Sequence, residues 1–100
     1  MSALRVVFSP RAERETARID AWWRANRTSA PDLFFTELRR MLSLLALSPA
    51  LGTVAASERT PDLRRALLDR TQHHVYFRAQ EDCIEVVAVW HASRGRDPGV

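Results

Sequence analysis

The sequence predicts a single α+β domain: an N-terminal strand, then an antiparallel helical hairpin packed on a mostly antiparallel sheet that closes with a three-stranded meander. Two observations carry this. The first half holds two segments whose apolar residues recur at helical spacing, and from Asp62 onward the period changes to two. Helices grouped before strands, rather than alternating with them, point to α+β packing instead of a doubly wound sheet. With 100 residues and 46% hydrophobic content, residues 1–100 form one small domain that buries roughly two thirds of its extended surface at most.

Leu4–Phe8, LRVVF, is an apolar run of strand length with β-branched Val6 and Val7 at its centre. Ser9-Pro10 then starts a helix: the Ser oxygen accepts from a free first-turn amide, and Pro at the first helical position has no amide to leave unpaired. This helix runs from about Pro10 to Asn26, with Ala12, Thr16, Ile19 and Trp23 on one face and Trp22 widening it. Its arginines alternate with Glu13, Glu15 and Asp20, which reads as a solvated, salt-bridged face; the interleaved acids cancel the field that a nucleic acid would need.

Ser29-Ala30-Pro31-Asp32 follows the capping-box logic, so a second helix is expected from near Ala30 to Ser48-Pro49. Phe34, Leu38, Met41 and Leu45 form its stripe, flanked by Phe35, Leu42 and Leu44, and the short connection makes the two helices a hairpin. Pro49–Pro61 has turn formers at both ends and no steady period, and is expected to be a mobile surface loop. Three strands follow: Asp62–Arg70, then His73–Gln80, then Cys83–Arg94. The breaker-rich Gly95–Val100 is expected to be a loose tail.

The last of these strands, CIEVVAVWHASR, organises the chain. Simple alternation puts Ile84, Val86, Ala88 and Trp90 on one face and Val87 and Val89 on the other, so both faces are apolar. A strand of this kind is covered on both sides. The domain's helices cover one; the other is expected to receive a partner, with His91, Arg94 and Arg96 at its end.

Composition excludes several classes. The lone Cys83 matches no disulfide or metal spacing, so no metal and no cofactor are expected. The N-terminal apolar run is too short for a secretory signal, and no stretch is long enough to span a bilayer, so a cytoplasmic protein without membrane contact is expected. All 15 basic residues are arginine, with a net charge of +3. Every cation is therefore a planar fork suited to phosphate or carboxylate, and no lysine amine is available as a base.

Chemistry, if any, concentrates in the last third. Arg64 or Arg65, Arg78 and His91 lie on neighbouring strands and are expected to converge on one sheet face or rim, where a histidine acts as acid or base and guanidinium groups steady a phosphate. Asp62, Asp69, Glu81, Asp82 and Glu85 nearly neutralise this patch. His91 reads equally as a strand-end residue bonded to backbone, His73 and His74 as solvated beside a turn, and Tyr76 and Trp90 as packing or interface rings. Serine elbows, Gly-rich phosphate loops and paired-histidine metal motifs are absent from the sequence.

The strings VFSPRAERETARIDAWW, FFTELRRMLSLLALSPALG and HHVYFRAQEDCIEVVAVWHASRGRDP together resemble the RelE/ParE superfamily of bacterial type II toxins, with VWHASR the most specific part. The resemblance implies a toxin held in a hetero-oligomer by a cognate ParD-like antitoxin, whose disordered segment folds onto it. Within the superfamily, ParE-type members inhibit DNA gyrase without cleaving RNA, whereas RelE-type members cleave mRNA on the ribosome. The absence of lysine and of a tyrosine near the end removes the lysine-and-tyrosine version of the nuclease site. The long helical hairpin and the VWH ending look more like ParE, with His91, Arg64, Arg65 and Arg78 leaving a histidine version of the nuclease open, and an inactive antitoxin-binding relative as a third reading.

Overall fold

The N-terminal apolar run forms β1 (Arg5–Phe8), and the Ser-Pro signal starts α1 (Pro10–Asn26), in which the Ser9 hydroxyl accepts the Ala12 amide at 3.1 Å. The computed structural model describes residues 3–94 and 98–100. The second helix, α2 (Leu33–Leu47), begins about a turn later than the capping box predicts. Asp32 occupies its cap position but makes no capping hydrogen bond, because its carboxylate is held 2.9 Å from Arg24 of α1. That pair, with Arg24 also on Asp20 at 3.0 Å, ties the two helices together across their connection.

The segment expected to be an irregular loop is partly ordered. Pro49–Leu51 makes one 3-10 turn, and β2 (Thr53–Val54) pairs antiparallel with β3 (Arg64–Leu68). Gly52 between them is required by close approach: a Cβ there would overlap the ring of Phe77, which is fully buried. The meander then forms as expected through β4 (His73–Ala79) and β5 (Cys83–His91), and β1 joins β5 in parallel, giving the order β1-β5-β4-β3-β2. The organising strand is interior to the sheet.

Both helices lie on one face of the sheet. Beneath them, Phe34, Leu38, Val75, Val86 and Val89 form one cluster, and Leu45, Phe77 and Ile84 another. The helix stripes are narrower than the sequence suggests: Trp22, Phe35 and Leu44 are 47%, 40% and 45% exposed. Glu15, expected on the solvated face of α1, is buried instead. Beyond the end of β1 it takes over that strand's pairing role, accepting the Val89 amide of β5 at 2.9 Å while Arg11 holds its other oxygen at 3.1 Å.

On β5 the expected alternation fails at one point. Tyr76 opposes Ala88 and Phe77 opposes Val86, so Val87 is an extra residue, a β-bulge. A one-residue insertion exchanges the faces of everything beyond it. Ile84 and Val86 face the helices, whereas Ala88 and Trp90 face the opposite side, with Tyr76 and His74 as cross-strand neighbours.

Candidate functional site

The second sheet face is not open along β5. Ala88 is fully buried against Leu63 and Tyr76, with Ala55, Val87, Trp90 and Val100 packed around them. The C-terminal residues contribute to this cover: Ser57 Oγ donates to the Val100 carbonyl at 2.6 Å and Arg59 to that of Gly99 at 3.3 Å. Residues 98–100 are thus bound to the 57–59 loop rather than loose. Ile84, Val86 and Ala88 are inaccessible to a partner, and that part of the sequence expectation is corrected: the chain's own helices, loop and C-terminus seal all three. At the strand end, Trp90 is half-buried with the Arg94 guanidinium stacked 4.0 Å from its ring centroid and Arg11 at 5.7 Å. Arg96 lies outside the described residues.

The proposed catalytic residues do not converge. Arg64 pairs with Phe77 on the helix side and donates to the Gly52 carbonyl at 2.6 Å. His91, also on the helix side, sits at the far end of the sheet against His73, ring centroids 4.9 Å apart. Arg65 and Arg78 are on the outer face, where Arg78 is already shared between Asp62 at 3.6 Å and Glu85 at 3.8 Å. The strand twist and the alternation of side chains, both fixed by register, separate the four residues that sequence proximity suggested were together.

A different group comes together on the outer face. Arg65 donates towards the Tyr76 hydroxyl at 3.4 Å, and the His74 ring meets Tyr76 edge-on at 6.0 Å, with Trp90 opposite His74. Burial, and then the nearby Arg65 charge, lower the His74 pKa from its ordinary value and so favour the neutral ring. Sequence reasoning left His74 as a solvated turn residue; only the register puts it beside Arg65 and Trp90. The group supplies one cation and one neutral imidazole, without a second free arginine to balance a phosphate.

Exposed apolar surface lies elsewhere. Leu44 and Leu47 of α2, Leu51, Val54 of β2 and Leu67 of β3 are between 40% and 70% exposed, and Leu44, Leu51 and Leu67 line a common groove with Met41 and His74. Such a row is the kind of exposed apolar surface that a partner can cover. The signal for it was in the sequence, because ten apolar residues in the fifteen of α2 exceed what one buried stripe can take.

Two helices on one face of a five-stranded, mostly antiparallel sheet is the architecture of RelE/ParE-type toxins. Solved structures with this fold include the chromosomal ParDE TA system from P. aeruginosa (TM-score 0.70, 15% identity, covering 91% of this chain and 98% of that one). The YoeB dimer from Staphylococcus aureus (0.63, 12%, 90% and 98%) and the YoeB/ParE toxin from Agrobacterium tumefaciens (0.63, 10%, 88% and 98%) are also similar. Residues 6–96 match the family described as the ParE toxin of the type II toxin-antitoxin system parDE, and the chain belongs to that family. No curated relative matches the sequence. No helix among the described residues is long and apolar enough to cross a membrane.

Proposed function

We propose that this ParE-family toxin acts in the cytoplasm by binding and inhibiting DNA gyrase, and that a cognate ParD-like antitoxin neutralises it in a hetero-oligomer. Family membership supports the class, and one observation favours binding over catalysis: Arg64, Arg65, Arg78 and His91 lie on two faces and at two ends of the sheet, with Arg64 and Arg78 already engaged. A binding inhibitor needs accessible surface rather than a converged pocket. Trp90, His91 and Arg94 at the end of β5 provide the accessible part of the expected determinants, and Arg96 belongs to the same proposal.

The antitoxin's seat in this reading is the apolar row from Leu44 and Leu47 to Leu51 and Val54. An amphipathic segment that orders on contact would bury it, coupling its folding to binding. Purified protein should then block gyrase supercoiling while ribosome-bound message stays intact.

The mRNA-cleaving alternative keeps one supporting observation, the neutral His74 beside Arg65. Message cleavage at the ribosome that disappears in His74→Ala or His91→Ala, with gyrase unaffected, would replace the gyrase reading with it.

A further inference from the structure

On the helix side of the sheet, at the end away from Arg64, the C-terminal turn of α1, the β3–β4 connection and the end of β5 enclose a cleft of about 610 Å³. Its wall carries Trp22, Trp23 and Arg27 from α1, Arg70 and His73 from the connection and β4, and His91 and Arg94 from β5. This volume is within the range of small-molecule sites, roughly 300–1,000 Å³. Three arginines line the cleft, Arg94 at the margin where its guanidinium also stacks on Trp90, and none of the lining residues is a carboxylate. Among the described residues, none of the three forms an ion pair, although Arg5, Arg11, Arg24 and Arg78 all do.

Two further features distinguish the cleft from a merely basic surface. His73 is 6% exposed, and its Nδ1 is buried without a well-formed hydrogen bond among the described residues, the Thr71 backbone interacting with the ring only weakly. The connection that presents Arg70 is also built rigidly: Glu37 of α2 accepts the Arg70 and Thr71 amides at 2.7 and 3.0 Å and the Thr71 hydroxyl at 2.7 Å. Gln72 beside it is held at φ 61°, the left-handed region that non-glycine residues seldom adopt. Both carboxylate oxygens of Glu37 are thereby occupied. The aromatic component is equally specific. Trp22 and Trp23 meet edge-to-face at 6.0 Å, and the Arg27 guanidinium lies 4.9 and 5.8 Å from their centroids.

We propose that this cleft binds a nucleoside phosphate, with Arg27, Arg70 and Arg94 taking the phosphate and the Trp22–Trp23 pair taking the base. Arginine forks suit phosphate oxygens, and an indole offers a stacking surface to any base. The site lies on the opposite side of the sheet from the Arg65–His74 group, and it does not depend on the gyrase reading. The same chemistry is presented by a free nucleotide and by the phosphorylated end of a short single strand.

The test is calorimetric titration of the purified protein with AMP, with inorganic phosphate, with adenosine and with a 5′-phosphorylated dinucleotide. Saturable binding is expected for AMP or the dinucleotide, whichever binds naming the source, with weaker binding of phosphate and none of adenosine. Arg70→Ala and Arg27→Ala, both at exposed positions, should each weaken it about tenfold or more, and Trp22→Ala should abolish the preference for AMP over phosphate. Circular dichroism of the variants checks that they remain folded. No saturation by any phosphate ligand, equal affinity in the arginine variants, or equal binding of AMP and phosphate in the parent protein would each overturn the proposal.

Discussion

The two faces of the sheet differ in how they exclude water. On the helix face, large side chains from α1 and α2 interlock with Phe77, Ile84, Val86 and Val89, most of them fully buried, and even Glu15 is built in as a backbone acceptor. The outer face is covered by small or peripheral pieces, namely Ala55, Leu63 and the C-terminal Val100 around Tyr76 and Ala88, with Arg65, His74, Arg78 and Trp90 left at the margins. The contrast separates an interlocked surface, where changes in the buried side chains are expected to be felt as unfolding, from the thinner outer cover and the exposed α2 row, where the proposed partner contacts lie.

Removing a large ring from the helix face tests the contrast most severely. Phe77→Ala deletes a fully buried side chain that also fills the space beside Gly52, and should cost about 3–5 kcal/mol in denaturant unfolding. Glu15→Ala leaves the Val89 amide without its acceptor in a buried position, and about 1–3 kcal/mol should be lost.

A pH titration reads the same face through His73, whose pKa burial, and then the neighbouring His91, depress from 6.5 to about 4, with Arg94 acting in the same direction and Glu37 and the Thr71 backbone opposing. Between these values the unfolded chain holds a proton that the folded chain does not. Stability is therefore full above about pH 6.5 and falls as the pH drops towards about 4. His73→Gln should flatten this part of the profile by an amount on the order of 2 kcal/mol; an unchanged slope would mean that His73 is not responsible for it. The smallest effect on folding belongs to the exposed α2 row. Leu47→Arg, at a position 64% exposed, should alter stability by less than about 0.5 kcal/mol. It should nevertheless abolish antitoxin binding in a pull-down, and retained binding would move the antitoxin's seat elsewhere.

The local code was strong enough to read most of the fold. Ser9-Pro10 marked the start of α1 at the residue where it begins, and the shift from helical to alternating period marked the meander. The candidate site was far less legible, because it depends on register. A bulge at Val87 has no signature in the string CIEVVAVWH, yet it moves Ala88 and Trp90 to the opposite face from Ile84 and Val86. Likewise, His73 and His74 are adjacent in sequence, but alternation buries one against Phe34 and His91 and sets the other beside Arg65 and Tyr76.

By itself, then, the sequence determined the class of fold, the order of its elements and the likeness to a toxin family, since these follow from periodicity and turn chemistry acting over a few residues. Only the tertiary structure decided which surfaces remain open. It sealed Ile84, Val86 and Ala88, dispersed Arg64, Arg65, Arg78 and His91, and gathered Trp22, Arg27, Arg70 and Arg94 around one cleft. The physical reason is that exposure and convergence are set by contacts between residues far apart in the chain, and a single inserted residue in one strand is enough to reassign them.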